Sequence, residues 1–221
     1  MGFTGFPPEA FDFYRRLSAD NSRAFWLANK PIYDQAVRAP MLALLDEFPD
    51  MGAFHVFRPN RDVRFAKDKT PYKDHVAAYV ESQGGAGHYI HLGAEGMFAG
   101  CGYYDMATDQ LERFRAAVDA DATGSDLQAR CTAAEKRGLR LGAMSALKTA
   151  PRGFAKDHPR IELLRRKGLV ASQDWPLAPW MHTRKVVAKV RDAWAAAGDL
   201  DEWLDMHVGP STLPPDDLHR R

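Results

Sequence analysis

Cysteine is scarce in this chain of 221 residues: Cys101 and Cys131 are the only two, and no CxxC pair occurs. That excludes a disulfide framework and a cysteine-built zinc site, and both residues read as buried or idle thiols. Long apolar runs are missing too. Nothing approaches the roughly eighteen consecutive apolar residues of a membrane span, and "MGFTGFPPEAFDFYRR" lacks the basic-then-apolar order of a secretion leader. The expected location is the cytoplasm. The opening Met-Gly does not suit myristoylation, because Phe6 stands where Ser or Thr is required.

Other absences narrow the chemistry. No GxGxxG or GxxxxGK[ST] string occurs, so the glycines of "GAGHY" and "GCGYY" serve hairpins or close packing rather than a nucleotide loop. No GxSxG elbow organises a triad. His88 and His91 lie three apart on an expected strand, which sends them to opposite faces, and no HExxH or carboxylate-rich loop joins them. Neither a metal nor a cofactor is expected.

What the chain does have is charge, unevenly placed. Its 30 Lys and Arg nearly balance its 29 Asp and Glu, for a net charge of +1. Residues 58–74 carry six cations and three acids, and residues 148–167 carry seven and two. These 37 positions hold 13 of the 30 cations but only 5 of the 29 acids, so they are basic segments in an otherwise acidic chain.

Helical and strand patterns alternate along the sequence. "PPEAFDFYRRLSADNS" reads as a helix opened by Pro8, with Phe11, Tyr14 and Leu17 on one face. Asn21 or Ser22 caps the next, "RAFWLANK". A further long helix is expected from a cap at Asn29, with Pro31 in its first turn and a kink at Pro40. Strands follow at 53–57, 75–81, 87–93 and 96–102, and the short glycine-bearing connectors make the last three an antiparallel meander. Helices return from 107, over 159–168 and over 181–198. The expected architecture is α+β, helices packed on an antiparallel sheet, with one domain over residues 1–208 and a flexible tail over 209–221.

The first basic segment, "RPNRDVRFAKDKTPYK", reads as an ordered loop feeding the sheet, a common place for binding residues. Arg61 and Arg64 offer forked donors suited to phosphate or carboxylate, and Lys67, Lys69 and Lys73 supply point charges; Arg58, Arg61, Arg64, Lys69 and Lys73 are the anion-binding candidates. Asp62, Asp68 and Tyr72 are the expected structural supports. In the second segment, Asp157-His158-Pro159 is expected to open a helix, where exposed amides favour anions. Arg152 and His158 are the anion-binding candidates there, with His158 also a possible proton donor. Tyr72 and Tyr104 are candidates to face a ring or base.

These residues also carry a resemblance. Arg58-x-x-Arg61-Asp62-x-Arg64-Phe65 followed by Lys69-x-Pro71-Tyr72-Lys73 resembles the signature of the conserved hypothetical proteins grouped as domain of unknown function 2461. "FDFYRRLSADNSRAFWLANKPIYDQAVRAP", "GCGYYDM" and "PRGFAKDHPRIELLRRKG" agree with it, over about residues 6–205. Ser22 and the order Phe25-Trp26 are small departures. The resemblance implies the extent of the domain and transfers no role to any residue.

The functional expectation is therefore a phosphorylated or otherwise anionic small molecule, either bound or acted on, with residues 58–73 and 148–160 as two walls of one cleft. Two alternatives stand beside it. In one, the Arg–Asp network only holds the fold and the basic face meets an acidic protein partner. In the other the partner is nucleic acid, which the patches favour and the net charge disfavours.

Overall fold

The computed structural model describes residues 2–64, 67–81 and 85–214. Phe65 and Ala66 of the basic loop, the connector residues Ser82 to Gly84 and tail residues 215–221 lie outside the described residues. The fold is α+β, built on one six-stranded antiparallel sheet of order β1-β2-β3-β4-β6-β5. The strands are β1 (His55–Val56), β2 (His75–Glu81), β3 (Gly87–Gly93), β4 (Gly96–Tyr103), β5 (Arg140–Gly142) and β6 (Leu169–Pro176). Among the described residues no helix is long and apolar enough to cross a membrane.

The meander β2-β3-β4 forms over the expected residues, because alternating side chains and short glycine-bearing connectors fix it locally. β1 is only two residues long; His55 pairs with Tyr79 and Val56 with Ala78. Strands β5 and β6 are not legible in the sequence. β6 joins the sheet beside β4, and β5 pairs with β6 through Arg140–Ser172, Leu141–Ala171 and Gly142–Val170.

The chain forms two compact units. The first comprises Met1–Val80, Tyr89–Ala99 and Asp174–Asp192. Its helix α1 (Pro8–Ala19) starts at the expected proline and buries Phe11, Phe13, Tyr14 and Leu17. Ser22 caps α2 (Arg23–Ile32), its Oγ accepting the Phe25 N–H at 3.1 Å. The helix expected to begin at Asn29 is instead a continuation of α2. Asn29 is an interior residue that donates to Phe25 O and accepts from Arg16, so its amide is spent inside the helix rather than capping a new one. Tyr33–Arg38 then widens into a π-helix before α3 (Ala39–Leu45), with the Ala39 N–H reaching back to Asp34 O. A π-segment ahead of Pro40 is a known way to carry a proline ring past the preceding turn. Phe13, Trp26, Tyr33 and Tyr72 interlock, Tyr72 stacking on Trp26 at 4.4 Å.

The second unit comprises Glu81–His88, Gly100–Gln173 and Ala193–Arg221. Its helices are α4 (Thr108–Asp119), α5 (Asp121–Lys136), α6 (Ile161–Leu164) and the C-terminal part of α7 (Lys185–His207). Phe114, Val118, Leu127, Leu164, Leu169, Trp203 and Leu204 are buried in it. Two expected helices are corrected. The one over 159–168 shrinks to the single turn of α6, because Pro159 and the Arg160 backbone (φ −112°, ψ 27°) stand outside it. The one over 181–198 starts later and runs on through Gly198 to His207. Residues expected in a loose tail are held: Asp109 accepts from Ser211 Oγ and the Thr212 N–H, and Arg113 donates to Val208 O and Pro210 O.

Candidate functional site

The first unit gathers the basic loop and one face of the sheet. The loop is pinned by Asn21, which accepts the Tyr72 N–H at 3.0 Å and donates to Tyr72 O at 3.1 Å. Backbone bonds from Arg61 N–H to Pro71 O and from Lys73 N–H to Pro59 O close its two ends. Tyr72 is buried against Trp26, so it supports the loop and offers no stacking face.

Within the loop the acids take arginines. Arg64 makes a forked pair with Asp62, whose carboxyl that hydrogen bonding holds below its usual range. Arg61 pairs with Asp68 and, at 3.6 Å, with Asp74. Asp68 also accepts the Thr70 N–H and hydroxyl, which hold its carboxyl low. Lys69 donates to Val63 O. Lys73 behaves differently: its Nζ sits 4.8 Å over the Phe57 ring, and burial, then Arg58 and Arg61, push its pKa down. Lys73 thus lies over a ring, with Arg58 and Arg61 near enough to disfavour its charge.

That ring begins a row which the sequence pattern held but which only strand pairing assembles. Phe57 stacks on Tyr79 at 5.2 Å and approaches Tyr89 at 6.4 Å. Tyr89 meets Phe98 at 5.8 Å, and His91 lies flat on Phe98 at 5.0 Å with 6° between planes. His75 adjoins His91 at 4.8 Å. Residues 75 and 79 of β2, 89 and 91 of β3 and 98 of β4 follow the two-residue period, so one sheet face carries the row. Burial, aided by His75, drives the His91 imidazole down to about 4, and its Nδ1 is buried without a hydrogen-bond partner. Two shallow clefts of this unit, of about 360 and 340 Å³, lie around Phe6 and Pro40 and around Phe48 and Phe54, and include none of these residues.

Arg152 and His158 belong to the second unit. Arg152 is exposed in the turn after Pro151. His158 Nδ1 accepts the Arg160 N–H at 3.0 Å, and its Nε2 faces Asp119 at 3.2 Å. Both ring nitrogens are engaged, which suits a fixed orientation more than a proton donor. The four-residue α6 begins at Ile161, so Asp157 does not stand at a helix N-terminus as expected. Tyr104 is exposed, with its hydroxyl 2.8 Å from Met144 Sδ.

The second unit also holds a polar cluster that sequence reading missed. His88 and His91 do point to opposite faces of β3, and His88 turns toward Cys101 of β4 and Asp201 of α7. His88 Nε2 lies 3.6 Å from Asp201 Oδ2, and the donor atoms of the three residues are all within 4.8 Å of one another. Neither Asp201 oxygen has a hydrogen bond of normal geometry, and the Cys101 thiol is a weak donor beside it. Burial and, less, Asp205 raise the Asp201 carboxyl to about 7 against that thiol's opposing effect. Burial likewise raises the Cys101 thiol and lowers the His88 imidazole. The signal present in the sequence was that residues 88 and 101 share the inward parity of their strands. Nothing local joins them to residue 201.

Residues 9–203 match the family model described as "Conserved hypothetical protein (DUF2461)". No curated protein and no solved structure matches.

Proposed function

The chain belongs to the conserved hypothetical proteins of DUF2461, and from that premise, which brings no activity with it, we propose that it binds a phosphate-bearing ligand with a planar ring on the aromatic face of its first unit. The observation that carries this reading is Lys73 at the Phe57 end of the ring row, its Nζ 4.8 Å over the ring and its charge disfavoured by burial and then by Arg58 and Arg61. Cations held together at some cost to one another are stabilised by an anion, and rings in a row on a sheet offer π-faces for a base or similar group. In this arrangement Arg58, Arg61 and Lys73 meet the phosphate, and Tyr79, Tyr89 and Phe98 meet the ring. Arg64 and Lys69 shape the loop through Asp62 and Val63 O.

A specific observation favours a second reading: Arg61 and Arg64 are already matched to Asp68, Asp74 and Asp62, as in a network that only fixes a loop. Calorimetry separates the two, with mononucleotides, ribose phosphate and inorganic phosphate titrated into wild type, Arg58→Ala, Lys73→Ala and Tyr89→Ala. Charge-assisted hydrogen bonds contribute about 1.5–3 kcal/mol each, so each cation variant is expected to weaken nucleotide binding about tenfold or more at unchanged melting temperature. Tyr89→Ala should weaken the nucleotide more than ribose phosphate. Absence of binding by all three compounds, with Arg61→Ala losing many degrees of melting temperature, would establish the loop as structural.

A further inference from the structure

We propose that His88, Cys101 and Asp201 are the protein ligands of a single divalent late first-row metal ion, zinc foremost, held inside the second unit. The three donors come from β3, β4 and α7, and each is of a type that binds such metals: an imidazole nitrogen, a sulfur and a carboxylate oxygen. The thiolate selects against magnesium and calcium, which take oxygen ligands. Metal–ligand bonds of about 2.0–2.3 Å in a tetrahedron put donor atoms roughly 3.3–3.6 Å apart. His88 Nε2 and Asp201 Oδ2 are already at 3.6 Å, and the widest separation in the set, at most 4.8 Å, closes with a movement of about 1 Å, which is a side-chain adjustment.

The independent observation is Asp201 itself. Only 8% of the residue is exposed, and both carboxylate oxygens are buried without a hydrogen bond. A buried carboxylate whose neighbouring donor is no better than a weak thiol is costly, and native structures rarely keep one without an ion or a stronger partner. A divalent cation removes that cost and balances the −2 of one thiolate and one carboxylate. The neighbouring Asp205 is committed elsewhere, its Oδ1 accepting the Ala86 N–H at 3.1 Å and the Tyr103 hydroxyl at 3.0 Å. It braces β4 against α7 around the ligands. Trp194 meets the His88 ring edge-on at 5.5 Å and limits its rotation. Three protein ligands leave one position for water, the arrangement of zinc sites that do chemistry. On binding, the Cys101 S–H bond breaks and a metal–sulfur bond forms; that proton, and whatever fraction the Asp201 carboxyl holds, passes to the buffer.

The test uses the untagged full chain, stripped with chelator and titrated with Co²⁺ and then Zn²⁺. The expected result is a thiolate-to-cobalt charge-transfer band saturating at one equivalent, displaced by Zn²⁺, with proton release in weakly buffered solution. Cys101→Ser should abolish the band, and Asp201→Asn, which keeps the side-chain shape while removing a buried charge, should weaken Co²⁺ binding at least tenfold. Zn²⁺ should raise the melting temperature of wild type and not of Asp201→Asn. The proposal is overturned if wild type shows no such band at several equivalents. It is overturned equally if the band survives in Cys101→Ser, which would assign it to Cys131, or if Asp201→Asn binds Co²⁺ as well as wild type. None of these readouts involves the basic loop, so this site stands or falls apart from the proposed phosphate ligand.

Discussion

Arg160 keeps its guanidinium buried mainly by answering carbonyls. Its Nε donates to Val118 O at 2.6 Å and its Nη2 to Asp119 O at 2.8 Å, the carbonyls that the end of α4 leaves without helical partners, with exposed Asp121 as a third contact. A cation at a helix C-terminus is also favoured by the helix dipole. Gly124 makes room for it, since a Cβ there would lie 2.5 Å from Arg160 Nε and 2.2 Å from Val118 O. His158 accepts the Arg160 N–H, so the second basic segment spends its central residues on joining α4 to α5. Replacing Arg160 with Met would leave the buried Val118 carbonyl unanswered at roughly 1–3 kcal/mol and the part-buried Asp119 carbonyl unanswered at less. Arg160→Met is therefore expected to lose about 2–4 kcal/mol in urea unfolding, and Arg152→Met, on an exposed turn, less than about 0.5 kcal/mol. Equal losses in the two variants would remove this account.

Among the elements, β4 and α7 each carry a glycine with opposite consequences. Gly102 of β4 has φ 127°, and a Cβ there would stand 2.3 Å from Leu169 O, so the close approach of β4 to β6 requires its absence. Gly198 lies on the exposed side of α7, and a Cβ there would meet nothing within 4 Å. Gly102→Ala should therefore unpair β4 from β6 and cost several kcal/mol, while Gly198→Ala should stabilise by about 0.5–1 kcal/mol, the usual gain of alanine over glycine in a helix. Denaturant melts of the two variants check both signs. The helical run from Arg23 to Leu45 shows what local signals miss: Pro31 and Pro40 mark strain in it, yet α2, the π-segment and α3 continue through both. A proline tells where a hydrogen bond is lost, and packing of Trp26, Tyr33, Val37 and Met41 decides whether the helix survives the loss.

For the whole molecule the buried titratable groups set a response to acid. His91 is held neutral, with its pKa moved by burial from 6.5 to about 4. The unfolded chain takes up a proton that the folded one refuses, so stability falls as pH drops from about 6.5 to about 4 and this contribution changes no further below that. Burial raises Asp109, but the Thr212 N–H, Ser211 Oγ and Arg113 outweigh it and hold the carboxyl below its usual range. Its contribution is present above about pH 4 and is lost on further acidification. Asp201, raised by burial to about 7, acts in the opposite sense over the first window, so the expectation is a difference between variants: the melting temperature of His91→Asn falls less than that of wild type in a first stage from about pH 6.5 to about 4, and that of Asp109→Asn falls less in a second stage below about pH 4. A first stage unchanged in His91→Asn would show that another group controls it.

Much of this was determined by sequence alone. Two-residue alternation and short glycine-bearing connectors specified β2, β3 and β4, Pro8 and the Asn21-Ser22 pair marked two helix starts, and the excess of cations over residues 58–73 marked the loop. Those signals act between residues a few positions apart, where backbone sterics and side-chain parity leave little choice. Tertiary structure decided the rest. It brought β6 beside β4, gave Arg61 and Arg64 their acid partners, aligned Phe57, Tyr79, Tyr89 and Phe98 into one row, and set Asp201 against His88 and Cys101. Each of these depends on which distant segment covers a given face, and that choice belongs to the burial of the whole core, which no local stretch of residues encodes by itself.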